Sequence, residues 1–247
     1  MPDLLAGRTA LVTGASSGLG EHFAQILAKS GAKVIVTARR AERLEALAEK
    51  IGRDRCTIVA ADLGTTVGIA SLAPHLAQVD VLVNNAGVVS GGPAIDLGEA
   101  DWDSQVDLNL KSSFLVAQLA ARAMRAHGRG GSIINISSVL GMQPSANVLP
   151  YAVAKAGVIQ LTKGLALEWA EFAVRVNAIA PGFFDTEMNH DMWDTDEGKA
   201  LIEGIPQRRL GDHADLDGPL LLLASDASRY MTGSVLLVDG GYLLGRA

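Results

Sequence analysis

The stretch from Thr9 to Gly20 limits the fold more than any other. Thr9-Ala-Leu-Val-Thr13 is a short apolar run with β-branched residues, Gly14-Ala-Ser-Ser-Gly18-Leu-Gly20 follows it, and an amphipathic segment covers 22–30. The order is strand, glycine turn, helix. Such a turn lets backbone N–H groups at a helix N-terminus approach a pyrophosphate with no side chain in the way. The plainer reading is a tight turn that only packs the helix on the strand. Strand-like runs recur at 33–38, 56–60, 79–83, 131–137, 174–179 and 234–238, with helix-like segments at 41–51, 62–77, 99–127, 150–172 and 214–224 between them. Near-continuous apolar runs suit parallel strands buried on both faces. The alternation predicts a single α/β domain over 1–247, a doubly wound parallel sheet of about seven strands. Length alone would also permit two small domains.

Composition narrows the function classes. With 49% hydrophobic and 19% charged residues the chain is globular. No basic leader followed by an apolar core opens it, and no apolar run approaches the ~20 residues of a membrane span. The expectation is a soluble, cytoplasmic protein with no membrane partner. The formal net charge of −6 argues against a nucleic-acid partner, and the clusters Arg39-Arg40 and Arg122, Arg125, Arg129 are too small to reverse it. Cys56 is the only cysteine, which excludes an internal disulfide and a thiolate metal cage. The five histidines, at 22, 75, 127, 190 and 213, lack paired ligand spacing, so no catalytic metal is expected.

The chemistry is placed at 137–155, on Ser138, Tyr151 and Lys155. If a helix begins near Pro150, Tyr151 and Lys155 fall at i and i+4 and share a face. A phenol beside an ammonium is a tuned acid. Lowering a Tyr pKa from about 10 toward 7 takes about 4 kcal/mol. One positive charge at ~4 Å supplies about that at an effective dielectric of ~20, before desolvation is subtracted. A second cation would help, and an oxidised nicotinamide ring carries one. Tyr-x-x-x-Lys in isolation is most often a solvated pair, so the cofactor site has to be found elsewhere.

The strand-like run 33–38 ends at Ala38-Arg39-Arg40, where an adenosine ribose is read. Ala38 is not acidic, which leans toward NADP(H) over NAD(H), with Arg39 the preferred phosphate partner; either arginine could instead be an exposed helix-start charge. The Ser16 and Ser17 hydroxyls could also bond a phosphate. Asp62, Thr65 or Thr66 could cap a helix running to about 77. Asn109, inside the segment 99–127, is unfavourable in mid-helix and suits a kink. Leu108, Phe114, Leu115 and Leu119 are expected to face the sheet.

The spacing Thr13-Gly14-x-x-x-Gly18-x-Gly20 departs from Gly-x-Gly-x-x-Gly and resembles the signature of the short-chain dehydrogenase/reductase family. Asn84-Asn85-Ala86-Gly87, Asn109 in Asn-Leu-x-x-x-Phe, Ser138 placed 13 positions before Tyr151, Lys155 and the element 181–186 resemble the family's other motifs in the same order. Ala154, where many relatives have Ser, is the one departure in the central motif, and the glycine turn lacks the basic residue that NADP(H) users often carry there. The resemblance implies a Rossmann-like fold and reversible hydride transfer between NAD(P)(H) and a carbonyl or secondary alcohol. In it Tyr151 exchanges the hydroxyl proton, Lys155 lowers its pKa and holds the nicotinamide ribose, and Ser138 bonds the substrate oxygen. Asn109 holds a water of the proton relay. Cofactor contacts are implied at Gly14, Ser16, Ser17, Gly18, Leu19, Gly20, Arg39, Arg40, Asp62, Leu63, Asn85, Ala86, Gly87, Tyr151, Lys155, Pro181, Gly182, Phe184 and Thr186. Phe184 contributes its backbone to the carboxamide, and Asp62 the contact to the adenine amino group.

The expected activity is that of a carbonyl reductase, 3-oxoacyl substrates included, with a sugar or polyol dehydrogenase as the alternative on the same frame. A cofactor-sensing protein that lost its chemistry would lack the tyrosine or lysine kept here, and sugar epimerases are longer with a different glycine spacing. The segment 187–205 is expected to form a substrate lid, with Met188, Met192 and Trp193 as an apolar wall. The flat Ala/Gly surface of 151–172 and the apolar Tyr242-Leu-Leu244, with the resemblance, lead to an expected homotetramer.

Overall fold

The computed structural model describes residues 3–245, so the outermost residues of the expected 1–247 domain lie outside the described residues. Seven parallel strands form one sheet: β1 (Thr9–Thr13), β2 (Lys33–Ala38), β3 (Cys56–Ala60), β4 (Val81–Asn84), β5 (Gly131–Ile136), β6 (Val174–Pro181) and β7 (Val235–Val238), in the order β3-β2-β1-β4-β5-β6-β7. This is the doubly wound, Rossmann-like arrangement expected from the alternation of runs. The helices are α1 (Gly18–Lys29), α2 (Ala41–Ile51), α3 (Thr66–Ala70), α4 (Glu99–Val106), α5 (Ser112–His127), α6 (Leu149–Trp169), α7 (Asp196–Gly204) and α8 (Asp217–Ala224).

Successive strand residues point to opposite faces, and each face meets its own helices. Val12, Val34, Val36, Val83 and Ile134 pack with Phe23 and Leu27 of α1, Leu44 and Leu47 of α2, and Leu220 and Leu223 of α8. Leu11, Ile35, Leu82, Ile133 and Val176 pack on the other face with Val116, Ala120 and Met124 of α5 and Leu165 of α6. Chain direction out from the centre reverses between β1 and β4, which opens a crevice at the carboxyl ends of these two strands.

Two expectations are corrected and a third holds in part. The segment 62–77 is not one helix: α3 ends at Ala70 and a separate tight turn covers Ala73–His75, because Pro74 has no N–H to continue the ladder. Thr65 is its cap, accepting from Gly68 N at 3.0 Å, while the Asp62 carboxylate takes Gly64 N at 3.0 Å. The segment 99–127 is two helices joined by a π-helical stretch, Asp107–Lys111. Asn109 Nδ2 takes the Gln105 carbonyl at 2.9 Å and Ser113 Oγ takes the Asn109 carbonyl at 3.1 Å, so side chains compete for acceptors in the ladder. The face of α5 turned fully inward is built from small residues, Ser112, Ser113, Ala117 and Ala120, with Val116 and Met124; Leu108, Phe114, Leu115 and Leu119 pack against the same sheet-side core, as expected, but stay partly exposed. Small side chains let the helix approach the sheet closely, which leaves the larger ones at the edges of the contact.

No described helix is long and apolar enough to cross a membrane. Cys56 is buried, and burial pushes its thiol up to about 11.

Candidate active site

The crevice at the strand ends is a cleft of about 470 Å³ that runs from the end of β2, over the glycine turn, to the start of α6. The glycine turn opens it. Gly14 and Gly18 have φ of +65° and +53°, a region that side-chain-bearing residues rarely adopt, and Ser17, which precedes the first turn of α1, lines the cleft together with Gly18 and Leu19. Gly20 does not reach the cleft. It packs beneath the turn against the Gly14 carbonyl and the Asn85 amide, where a Cβ would not fit, so its part is to let the turn close.

Thr13 joins β1 to β4 at the floor: its Oγ1 accepts from Asn85 N and Ala86 N at 2.9 and 3.0 Å, and Asn85 Nδ2 donates to the Thr13 carbonyl at 3.0 Å. The asparagine thus ties neighbouring strands, as expected of the Asn-Ala-Gly motif. Gly87 comes next and packs between Asn109 and Lys155. Asn109 is fully buried behind it and outside the cleft lining. Both its amide protons are committed, to Val88 O at 2.8 Å and Gln105 O at 2.9 Å, and its Oδ1 accepts from Val88 N at 3.1 Å.

β5 delivers Ser137 and Ser138 to the edge of the sheet. Ser137 Oγ donates to the Lys155 carbonyl at 2.8 Å, which seats the first turns of α6, and Ser138 Oγ accepts from Leu140 N at 3.1 Å. Pro150 lies in the first turn of α6, so Tyr151 and Lys155 do share a face, with Lys155 Nζ 5.5 Å from the centre of the Tyr151 ring. Lys155 is 5% exposed and donates to the Ile136 carbonyl at 2.8 Å. Burial lowers it from 10.5 to about 8. Burial likewise raises the Tyr151 phenol, and its hydrogen bond with Ser138 offsets that only in part. The protein's own groups therefore leave the phenol in its acid form near neutrality; the lysine charge does not by itself bring it toward 7.

On the far side, Pro181, Gly182, Phe184 and Thr186 follow β6 along the cleft. Asn189 organises them: its Oδ1 accepts from Thr186 N and Oγ1, both at 2.9 Å, and its Nδ2 donates to the Phe184 carbonyl at 2.9 Å. The Phe184 ring is buried and packs against Gly211, which leaves its backbone for the cleft.

The cleft therefore brings together Gly14, Ser16, Ser17, Gly18, Leu19, Arg39, Arg40, Asp62, Leu63, Asn85, Ala86, Gly87, Ser138, Tyr151, Lys155, Pro181, Gly182, Phe184 and Thr186. Val88, Ile136, Glu187 and Asn189 also line it and were not singled out from sequence. Asn189 had a local signal, an Asn three residues after Thr186 that can close an Asx-type turn. Of the proposed apolar wall, Met188 lines the cleft, whereas Met192 does not. Trp193 packs edge-on against Phe183 at 6.0 Å, 8% exposed and away from the lining. Phe183 draws it inward, since burying two aromatic rings against each other outweighs leaving Trp193 on a surface segment. Among the described residues no group of three or more His, Cys, Asp or Glu could hold a metal ion.

A switch-point cleft that runs from the end of β2 over a glycine turn to a serine, a tyrosine and a lysine defines the class of nicotinamide-type oxidoreductase folds. The family described as Enoyl-(Acyl carrier protein) reductase matches residues 14–243. The chain is 39% identical over 246 residues to 2-dehydro-3-deoxy-D-gluconate 5-dehydrogenase of Dickeya dadantii, covering 97% of this chain and 96% of that one. It is 37% identical over 240 residues to 3-oxoacyl-(acyl-carrier-protein) reductase of Rickettsia bellii, covering 97% and 98%. The crystal structure of a gluconate 5-dehydrogenase from Burkholderia cenocepacia in complex with NADP and tartrate superposes with a TM-score of 0.92 at 34% identity, covering 97% and 96%. The chain belongs to the short-chain dehydrogenase/reductase family. It is an oxidoreductase of the kind that interconverts CH–OH and C=O groups.

Proposed function

We propose that the chain is an NADPH-preferring carbonyl reductase for ketones with a hydrophobic part. The observation that carries the reading is the chemistry of the cleft from end to end. Its described cations are Arg39 and Arg40, just past the end of β2, and the buried Lys155, while Val88, Leu108, Ser138 and Met188 supply uncharged lining and Ser138 meets Tyr151 directly. No basic side chain among these lining residues would pair with a substrate carboxylate, whereas Ser138 and Tyr151 suffice to hold a carbonyl oxygen. The sugar-acid reading keeps the support of the gluconate-type relatives. NADPH oxidation should be faster with alkyl or aryl ketones and 3-oxoacyl thioesters than with keto-sugar acids, and the reverse order of kcat/KM would replace this reading with the sugar-acid one.

In the proposed reduction the bound nicotinamide supplies the hydride and, once oxidised, a positive charge. Tyr151 donates its phenolic proton to the carbonyl oxygen, and Ser138, held by Leu140 N, donates a second hydrogen bond to that oxygen. Lys155 stabilises the phenolate that remains and bonds the ribose. Asn109, whose amide protons are both engaged, acts as a positioning residue that holds the Gly87-Val88 wall over Lys155. The glycine turn receives the pyrophosphate at the start of α1 and Asp62 the adenine.

The NADPH preference rests on Ala38, a lining residue whose methyl cannot accept from a ribose hydroxyl, with Arg39 exposed beside it. Ala38→Asp places a carboxylate against the 2′-phosphate and is expected to move the kcat/KM ratio toward NADH by about tenfold or more. An unchanged ratio, or equal affinity of the parent chain for both cofactors, would reject the 2′-phosphate reading.

The segment 187–205 is read as the lid. It carries a short turn, His190–Met192, and α7, capped by Thr195 Oγ1 accepting from Gly198 N at 3.0 Å, with Met188 on the cleft side. Its amide exchange is expected to be faster than that of the strands and to slow when NADPH and substrate bind. Uniform exchange with no ligand response speaks against a lid. A homotetramer is the matching assembly: Phe114, Leu115 and Leu119 of α5 remain partly exposed, and Leu149, Val153 and Leu167 of α6 are exposed outright. Light scattering at micromolar concentration should report four copies; a monomer contradicts it.

A further inference from the structure

Glu187 begins the segment that follows β6, yet its side chain reaches across the cleft to the opposite wall. Its carboxylate accepts from Arg43 Nη1 and Nη2 at 2.7 and 2.8 Å and from Arg40 Nη1 at 3.0 and 3.2 Å. Arg40 also donates through Nε and Nη2 to Ser16 Oγ, at 3.2 and 3.1 Å, and through Nη2 to Ser17 Oγ, at 2.7 Å. Two guanidinium groups thus converge on a single anion, and the Ser16 and Ser17 hydroxyls hold Arg40 in place from the glycine turn. A planar guanidinium fork that meets two oxygens of one acid group is equally suited to a phosphate. The place matters as much as the chemistry: it is where β2 ends, the position from which the 2′ substituent of an adenosine ribose is read.

On the reading that the chain takes NADP(H), we propose that Glu187 masks Arg40 and Arg43 as an internal stand-in for the 2′-phosphate, and so sets how strongly the chain distinguishes NADPH from NADH. A 2′-phosphate either displaces the carboxylate from the two arginines or shares them with it, and both lower the affinity of the phosphorylated cofactor. NADH, with a hydroxyl at that place, meets no such competition. The mask is weak enough to yield, because Glu187 is half-exposed and exposed ion pairs are individually small contributors. It is also permanent over working pH, since Arg43 and Arg40 hold the Glu187 carboxyl down to about 2.

The test is calorimetric binding of adenosine 2′,5′-bisphosphate and of 5′-AMP, which differ only in the 2′-phosphate, to the parent chain, Glu187→Gln and Glu187→Ala. NADPH and NADH are titrated alongside. Both variants are expected to bind the bisphosphate on the order of threefold to tenfold tighter, with 5′-AMP changed by less than about twofold. An unchanged ratio between the two nucleotides overturns the inference. So does an equal loss for both, which a purely structural clasp across the cleft would produce. Failure of the parent chain to bind NADPH is a separate result: it removes the cofactor reading itself, whereas NADPH binding with an unmoved ratio removes the masking alone.

Discussion

Tyr151→Phe is expected to lower turnover on an authentic carbonyl substrate by about 10²- to 10⁴-fold while leaving NADPH affinity within about twofold. The substitution removes one oxygen from a ring whose position is set by α6, by the Ser137 bond to the Lys155 carbonyl and by Gly141 packing on the same backbone. The cleft therefore keeps its shape and loses only the proton. Because burial keeps the phenol protonated, the loss should be flat in kcat across neutral pH. Steady-state kinetics with a binding titration decide it: turnover like that of the parent enzyme means that another group supplies the proton.

Lys155→Met is expected to inactivate the enzyme and, measured without cofactor at pH 7, to stabilise it by roughly 1–3 kcal/mol. Burial takes the ammonium from its ordinary 10.5 to about 8, and at ~1.36 kcal/mol per pH unit the protonated lysine costs the folded state roughly 3 kcal/mol. The variant also forfeits the bond to Ile136 O, which returns about 1 kcal/mol or more of that gain. The sign follows from proton counting. Between pH 8 and 10.5 the unfolded chain holds the proton and the folded chain has released it, so parent stability rises with pH relative to the variant. The advantage of Met is therefore whole below about pH 8 and shrinks above it. Urea unfolding of both proteins at pH 7 and 9.5 measures the gap. Equal midpoints at pH 7, or a gap that widens with pH, would show that the buried charge is better compensated than one carbonyl suggests. A stabilising change at a residue needed for turnover is the expected relation between stability and activity at a working site.

Much of this molecule is written locally. Thr9–Thr13 and Lys33–Ala38 are strands over the very residues their apolar runs covered, because a strand buried on both faces leaves an unbroken apolar signature, and Cys56–Ala60 matches its run as well although it is the half-exposed edge strand. Tyr151 and Lys155 were legible together because a helix converts a spacing of four into one face. Ser138, at the end of β5, followed once that strand was placed. The turn 14–20 needed only its glycines.

The remainder depended on residues far apart in the chain. Glu187 meets Arg40 and Arg43 across 147 and 144 positions, and no window around Glu187 contains either arginine. Trp193 looked like a cleft residue until the path of the chain put Phe183 beside it. The small residues of α5 took the fully buried part of the sheet face, with its leucines and phenylalanine packed against the same core but partly exposed, since how near a helix can lie to a sheet is settled by what stands opposite. Asn109 could be read as a helix breaker, but that it holds Val88 by two hydrogen bonds required the loop after β4 to return to it. Hydrophobic period, turn chemistry and i, i+4 geometry act over a few residues and can be read from order alone. Charge partners, ring contacts and the closeness of packing are set by the strand order β3-β2-β1-β4-β5-β6-β7, which brings distant segments to one edge of the sheet.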